Sequence, residues 1–202
     1  MEAIKRFMKS AIKEAEKALS RGDYGIGAVI VRDNKIIARA GETLKTKPDP
    51  VNGHAEIGAI RKACKKLDSG YLNDCIIYST HEPCPMCMTA IYWAKMKGII
   101  YGISRQDMIE HMKSKGSEKF SWRQIDLSCK EILDKTIPNL SIELTEGFMR
   151  DECLKCQNST KSLTCGLYNR GILSMLKNHT KCGKFMPPIC DGWFLTLLDE
   201  TK

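Results

Sequence analysis

Apolar residues near the start of the chain recur at steps of three and four, the spacing of one face of an amphipathic helix. This stripe runs from Ala3 to Leu19, and Gly22 marks its end. Two apolar runs follow, Ile26–Val31 and Ile36–Ala40, and the polar residues Arg32–Lys35 between them predict a turn that joins two strands. The chain is therefore expected to open with a helix and a β-hairpin.

Helices and short strands alternate through the rest of the pattern. It predicts a helix from about His54 to Leu67, a strand over Cys75–Tyr78, a helix from the Cys84 turn, a strand over Ile99–Tyr101, helical turns around Asp107–His111 and Asp126–Lys135, a strand over Leu140–Leu144 and a helix from Met149. The run Cys75–Tyr78 is apolar without a break, which is typical of a strand covered on both faces. This order predicts an α/β fold with helices on both faces of a mixed sheet.

Length and composition allow one main domain with an appendage. The chain has 202 residues, of which 43% are hydrophobic and 28% charged, as in soluble globular proteins. No apolar run approaches the roughly 20 residues that span a bilayer, and no signal-peptide segment is present at the N-terminus. We therefore expect a cytoplasmic protein without a membrane partner, with a main domain over residues 1–155 and an extension over residues 156–202.

The extension is basic and rich in cysteine. Residues 153–190 carry six lysines and arginines and no acidic residue, within a chain of net charge +8. Such a segment attracts phosphate backbones, so contact with nucleic acid is one interpretation and a solvated tail the other. The apolar residues 192–198 suggest a lid over the active site, the alternative being a disordered tail.

The cysteine and histidine residues near the C-terminus raise the question of a second metal site. They are Cys153, Cys156, Cys165, His179, Cys182 and Cys190. Their spacing matches no established zinc pattern, so we do not expect a structural zinc ion in the extension.

Two short motifs carry the candidate chemistry: His54-Ala55-Glu56 and Pro83-Cys84-Pro85-Met86-Cys87. One imidazole and two thiolates provide three ligands for a tetrahedral zinc ion and leave its fourth position open. Glu56 is not needed as a ligand and suits proton transfer. Because zinc of this kind supplies hydroxide at neutral pH, the motifs predict hydrolytic removal of an amine, with Glu56 moving the protons.

Each motif taken alone has other interpretations. A Cys-x-x-Cys pair also occurs in redox proteins and as half of a structural zinc site, and a lone His-x-Glu sequence is commonly a surface pair. Glu56 is the residue that separates an enzyme from a structural zinc protein. A zinc-binding protein of the same fold without turnover therefore remains an alternative.

Residues 1 to about 155 resemble the cytidine deaminase superfamily, zinc hydrolases of bases, nucleosides and tRNA. The resemblance rests on Asp49-Pro50 before His54-Ala55-Glu56-Ile57, on Glu82-Pro83-Cys84-Pro85-Met86-Cys87 and on Ala90-Ile91-Tyr92-Trp93-Ala94. These motifs are most similar to guanine deaminases, and residues 147–153 are similar to the last helix of tRNA adenosine deaminases. The resemblance implies a three-layer α/β/α fold with a mixed five-stranded sheet, one catalytic zinc ion on His54, Cys84 and Cys87, Glu56 as proton shuttle, and a homodimer.

The resemblance is weakest where the family contacts its substrate. These branches carry a base-binding asparagine about eleven residues before the zinc histidine. Thr43 stands at that position here, Asn52 lies nearer, and the loop before His54 is one residue longer. We expect substrate contacts from Thr43, Asn52, His81 and Trp93. The predicted substrate is a purine or pyrimidine base, guanine-like or another free base or nucleoside first, with tRNA or single-stranded nucleic acid as the alternative.

Overall fold

The computed structural model describes residues 2–114, 125–137 and 141–158. Within these ranges the chain forms six helices and five strands. They are α1 (Lys5–Ser20), β1 (Gly27–Arg32), β2 (Lys35–Gly41), α2 (Ala55–Leu67), β3 (Ile76–His81), α3 (Pro85–Trp93), β4 (Gly98–Ile103), α4 (Arg105–Ser114), α5 (Cys129–Asp134), β5 (Glu143–Thr145) and α6 (Arg150–Asn158). The extension beyond residue 158, with its predicted lid, basic segment and most of its cysteines, lies outside the described residues.

The strands form one mixed sheet in the order β2-β1-β3-β4-β5. Strand β1 pairs antiparallel with both β2 and β3, whereas β3, β4 and β5 run parallel. The predicted mixed five-stranded sheet is therefore confirmed.

Helices cover both faces of this sheet. Along β1, Val29 packs with Phe7 of α1 in one core, and Ile30 packs with Ala59 of α2 in the other. The first core also takes residues from α4 and α6, and the second takes residues from α3 and α5. The central strands are apolar on both faces because both faces are buried. The three-layer arrangement predicted from the sequence is present.

Strand β3 continues past the predicted end at Tyr78. Ser79, Thr80 and His81 are polar, and the prediction stopped where the apolar run stops. All three are nevertheless buried, and their side chains make hydrogen bonds inside the protein. Polar groups are tolerated in a buried strand when they are bonded in this way. The predicted end of the strand was wrong because an apolar pattern does not reveal polar residues that are buried and hydrogen-bonded. These three residues lie at the site described below.

The last predicted strand is also displaced. Among the described residues, β5 comprises Glu143–Thr145 opposite Gly98–Ile100, and Ser141 and Ile142 precede it; the predicted start at Leu140 lies outside the described residues. The helical turns predicted around residues 107–111 and 126–135 are present as α4 and α5. A capping box between Ser128 and Glu131 starts α5.

The two chemical motifs begin helices, as predicted. His54 is the residue before α2, Cys84 is the residue before α3, and both have extended backbones. The fold thereby brings the first turns of α2 and α3 together at the end of β3. Among the described helices, none combines the length and apolar character needed to cross a membrane.

Candidate active site

The three predicted metal ligands form a cluster. The ligand atoms of His54, Cys84 and Cys87 all lie within 4.8 Å of one another, and His54 Nδ1 is 3.8 Å from Cys84 Sγ. A tetrahedral zinc ion with bonds of 2.0–2.3 Å separates its ligand atoms by about 3.5–3.8 Å. The donor set and its spacing therefore fit such an ion.

Electrostatics in this cluster favour a thiolate. Hydrogen bonds from Cys87 and from His54 outweigh burial and lower the pKa of Cys84 to about 4. The bond to Cys84 raises the pKa of His54 to about 9, and the pKa of Cys87 is raised because Cys84 holds the charge of the pair. A thiolate is the form of cysteine that binds metals.

Glu56 lies beside the cluster in the first turn of α2. It is only 3% exposed. Its Oε1 accepts a hydrogen bond from Ser79 Oγ at 2.8 Å, and its Oε2 is 3.5 Å from Cys87 Sγ. Burial, followed by the charge of Cys84, raises the pKa of Glu56. A carboxyl group with a raised pKa is suited to receiving and releasing protons near neutral pH.

A cavity of about 400 Å³ opens onto Glu56 and the cluster, within the size range of small-molecule sites. Its walls are mostly apolar. The apolar lining residues are Ile26, Pro50, Pro83, Pro85, Met86, Ile103, Met108, Ile125 and Leu127, and the polar ones are His54, Glu56, His81, Glu82, Cys84, Ser104 and Arg105. The arrangement suits a small, largely apolar molecule with a polar group directed to Glu56.

One wall of this cavity comes from the segments 103–108 and 125–129, which we call the rim; their lining residues are Ile103, Ser104, Arg105, Met108, Ile125 and Leu127. The Glu82 carboxylate connects its two halves, since it accepts the Arg105 N–H at 2.7 Å and the Cys129 N–H at 2.9 Å. The Arg105 side chain forms an ion pair with Asp126. Glu82 thus holds the beginnings of α4 and α5 beside the cavity.

His81, one of the predicted substrate contacts, lines the cavity. Its Nδ1 is 3.1 Å from Thr80 Oγ1, which accepts the Gly27 N–H. Burial lowers the pKa of His81 to about 3, so the ring is neutral at physiological pH. A neutral imidazole at this place is able to hydrogen-bond an uncharged substrate.

The other three predicted contacts do not line the cavity in the part of the chain that the structure describes. Trp93 is 71% exposed at the end of α3. The Asn52 amide bonds Asp49 and Arg61, and the Thr43 backbone N–H donates to the Gly53 carbonyl. Thr43 and Asn52 thus order the loop before His54.

Glu42 is a further residue of the site, and no sequence motif predicts it. It is 2% exposed, and its Oε2 accepts the Ala55 N–H at 3.2 Å, next to His54. Burial, followed by the charge of Glu56, raises the pKa of Glu42 to about 8. The sequence does contain a signal for Glu42, because the loop before His54 is one residue longer than in the family. The insertion moves the side chain that reaches the His54 turn one position toward the N-terminus, from Thr43 to Glu42.

Fold and site together define a hydrolase class. A buried carboxylate beside a His-Cys-Cys cluster, at the end of a mixed α/β/α sheet, is the arrangement of the cytidine deaminase-like enzymes expected from the sequence. Comparisons with known proteins support this class.

The MafB19-like deaminase family model matches residues 2–140. Guanine deaminase of Bacillus subtilis (strain 168) is 42% identical over 141 residues, which are 69% of this chain and 86% of that protein. A tRNA-specific adenosine deaminase of Aquifex aeolicus (strain VF5) is 38% identical over 95 residues, 47% of this chain and 62% of that protein.

Among solved structures, one from a study of A-to-I editing by tRNA:A34 deaminases is similar with a TM-score of 0.62 and 29% identity. The match covers 76% of this chain and 99% of that chain. The chain therefore belongs to the MafB19-like deaminase family. It is an aminohydrolase, and the predicted hydrolytic deaminase is confirmed.

Proposed function

We propose that this deaminase holds one zinc ion with His54, Cys84 and Cys87 and removes the exocyclic amine of guanine or a closely related free base. The observation that carries the proposal is the apolar cavity that opens onto both Glu56 and the ligand cluster. Similarity over 86% of a guanine deaminase supports this substrate.

The chemistry requires water activation and proton transfer. When bound, the zinc ion supplies hydroxide at neutral pH. Glu56 takes a proton from the attacking water and passes it to the ring nitrogen, and it then moves the second proton, from the newly added hydroxyl group, to the leaving amine. A C–O bond forms, the C–N bond breaks, and ammonia leaves. The raised pKa of Glu56 suits this role.

The cavity lining favours a neutral base. Apart from the metal ligands, the lining contains two acidic side chains, Glu56 and Glu82, and one basic side chain, Arg105. The described lining therefore has no excess of positive charge that would attract a phosphate. Side chains such as Met108 and Ile125 provide apolar surface for the ring faces, and His81 provides a neutral hydrogen-bonding edge. We assign His81 as a substrate contact on these grounds.

A tRNA substrate is the second candidate. The structural similarity to a chain from the study of tRNA:A34 deaminases favours this candidate, because the match covers nearly the whole of that chain. The basic segment 153–190 is the part of this chain suited to phosphates, and most of it lies outside the described residues.

We also propose a cytoplasmic homodimer. The seven described cysteines carry free thiols, which suits a reducing compartment. The exposed Trp93, packed edge-on against Tyr92, gives α3 an apolar outer face suited to a second copy. Light scattering of wild type and Trp93→Glu tests the dimer.

The test of function is ammonia release by the zinc-loaded protein. The substrates are guanine, adenine, cytosine, their nucleosides and tRNA, with Glu56→Ala as the control. The proposal predicts turnover of guanine that is lost in Glu56→Ala. Turnover of tRNA alone would favour the second candidate, and turnover of none, with one zinc ion bound, would contradict both.

A further inference from the structure

The buried hydroxyl of Ser79 makes a hydrogen bond to the Glu56 carboxylate. Ser79 Oγ donates to Glu56 Oε1 at 2.8 Å. Ser79 is fully buried in β3, the middle strand of the sheet, where it pairs with Ala28 of β1 and Tyr101 of β4. The donor is therefore attached to a rigid part of the fold.

The Ser79 hydroxyl has a second contact, with the backbone of His81. The His81 backbone N–H lies 3.4 Å from Ser79 Oγ and points its hydrogen to that oxygen. A hydroxyl has a single hydrogen to donate. An ionised carboxylate only accepts hydrogen bonds, and the backbone N–H occupies one of the two acceptor positions of Oγ, so the hydroxyl hydrogen is donated to Glu56.

The two oxygens of Glu56 consequently have different surroundings. Oε1 is occupied by Ser79, and Oε2 faces Cys87 at 3.5 Å and so faces the ligand cluster. The last torsion of a glutamate side chain is broad and weakly restricted on its own. A hydrogen bond at one oxygen fixes that torsion and directs the other oxygen to the reacting end.

We propose that Ser79 is a positioning residue: it holds Oε1 so that Oε2 is the oxygen that exchanges protons with water and substrate. This inference rests on the proposed role of Glu56. It accounts for a hydroxyl in a buried central strand, where an unbonded polar group would be costly.

The experiment compares Ser79→Ala, Ser79→Thr and wild type, with zinc loaded in each. Ser79→Ala is expected to lower kcat by about 10- to 100-fold, the worth of one hydrogen bond to a charged group, with KM for guanine little changed. Ser79→Thr keeps the hydroxyl and restores kcat to within about threefold of wild type. Zinc content stays at one ion per chain in all three.

Tyr78→Phe is the matched control. Tyr78 is the neighbouring buried residue of β3, and its hydroxyl accepts the Ile4 N–H on the opposite face of the sheet. Loss of that hydroxyl leaves kcat unchanged. An unchanged kcat in Ser79→Ala, or an equal loss in the Ala and Thr variants, would overturn the proposal.

Crystal structures of zinc-loaded wild type and Ser79→Ala provide a readout besides activity. The expected result is a single Glu56 carboxylate orientation in wild type and a rotated or divided one in the variant. The same orientation in both would overturn the inference. An inactive wild type would contradict the proposed function alone, and the two structures would still decide the role of Ser79.

Discussion

The metal end of the cavity and the rim differ in how the chain builds them. At the metal end, four side chains come from two short motifs at the beginnings of α2 and α3, and β3 supplies Ser79 behind them. At the rim, two segments separated by more than fifteen residues are connected through Glu82. The metal end is therefore carried by two recognisable motifs, whereas the rim has no motif and depends on the contacts that Glu82 makes with both of its segments.

The two regions also differ in electrostatics. The metal end concentrates buried titratable groups whose pKa values are shifted by burial and by one another, namely His54, Glu56, Cys84 and Glu42. The rim is mostly apolar, and Ile125 in it is 64% exposed. Substitutions at the metal end should therefore abolish turnover, and those at the rim should change affinity.

The largest effect is expected from a metal ligand. Cys84→Ala removes one of three protein ligands, so zinc should fall below about one tenth of an ion per chain and turnover by about 1,000-fold or more. Metal analysis and ammonia release measure both. The matched control is Cys64→Ala, which removes a half-buried thiol of α2 and should leave zinc content and turnover unchanged. A Cys84→Ala variant that keeps its zinc ion and its activity would contradict the assignment of Cys84 as a metal ligand.

The next largest effect is expected from Glu42, as a pH dependence of the free energy of unfolding. The folded-state pKa of Glu42 is about 8 against a usual 4.5, so between these values the folded state binds more protons than the unfolded state. Stability then falls as pH rises, by at most about 1.4 kcal/mol per pH unit. Glu42→Gln keeps an acceptor for the Ala55 N–H and lacks this titration.

Urea unfolding of the metal-free proteins from pH 5 to pH 8 measures this difference. Wild type should lose stability relative to Glu42→Gln as the pH rises. A constant difference over the range would show that Glu42 is ionised in the folded state.

A smaller effect is expected at the rim from Glu82→Gln. An amide cannot accept both the Arg105 and the Cys129 N–H as a carboxylate does, so the two halves of the rim should loosen. KM for guanine should rise about tenfold with a smaller change in kcat, given the worth of a hydrogen bond to a charged group. Glu110→Gln, on the exposed side of α4, should change neither. A fall in kcat with unchanged KM would contradict this prediction, because it would mean that Glu82 affects the chemical step and not substrate binding at the rim.

The smallest effect is expected from Asp126→Asn. Its ion pair with Arg105 is exposed on the Asp126 side, and such pairs contribute up to about 1 kcal/mol. KM should rise by no more than about fivefold, and added salt should reduce the difference between the two proteins. Steady-state kinetics at low and high salt measure it, and a tenfold or larger rise would mean that Arg105 itself binds the substrate.

The metal end was predictable because its residues fall in two short motifs of recognisable spacing. His54, Cys84 and Cys87 follow a spacing that chemistry dictates, and both helix starts were predicted correctly. Glu42 and Ser79 were missed because their role appears only when the chain folds: one lies across a loop of altered length, and the other is a polar residue inside a buried strand.

The substrate contacts were less predictable for the same reason. Trp93 follows an apolar helix pattern that does not say which side faces the cavity. The rim residues Arg105, Ile125 and Leu127 carry no motif, and they are brought to the cavity by the pairing of Glu82 with two helix starts.

The central claim is that Glu56 performs proton transfer and does not hold the metal. The most direct measurement is zinc content together with ammonia release from guanine in wild type and Glu56→Gln. We expect one zinc ion per chain in both proteins and a loss of turnover of about 100- to 10,000-fold in the variant. Loss of zinc from Glu56→Gln, or turnover equal to that of wild type, would contradict it.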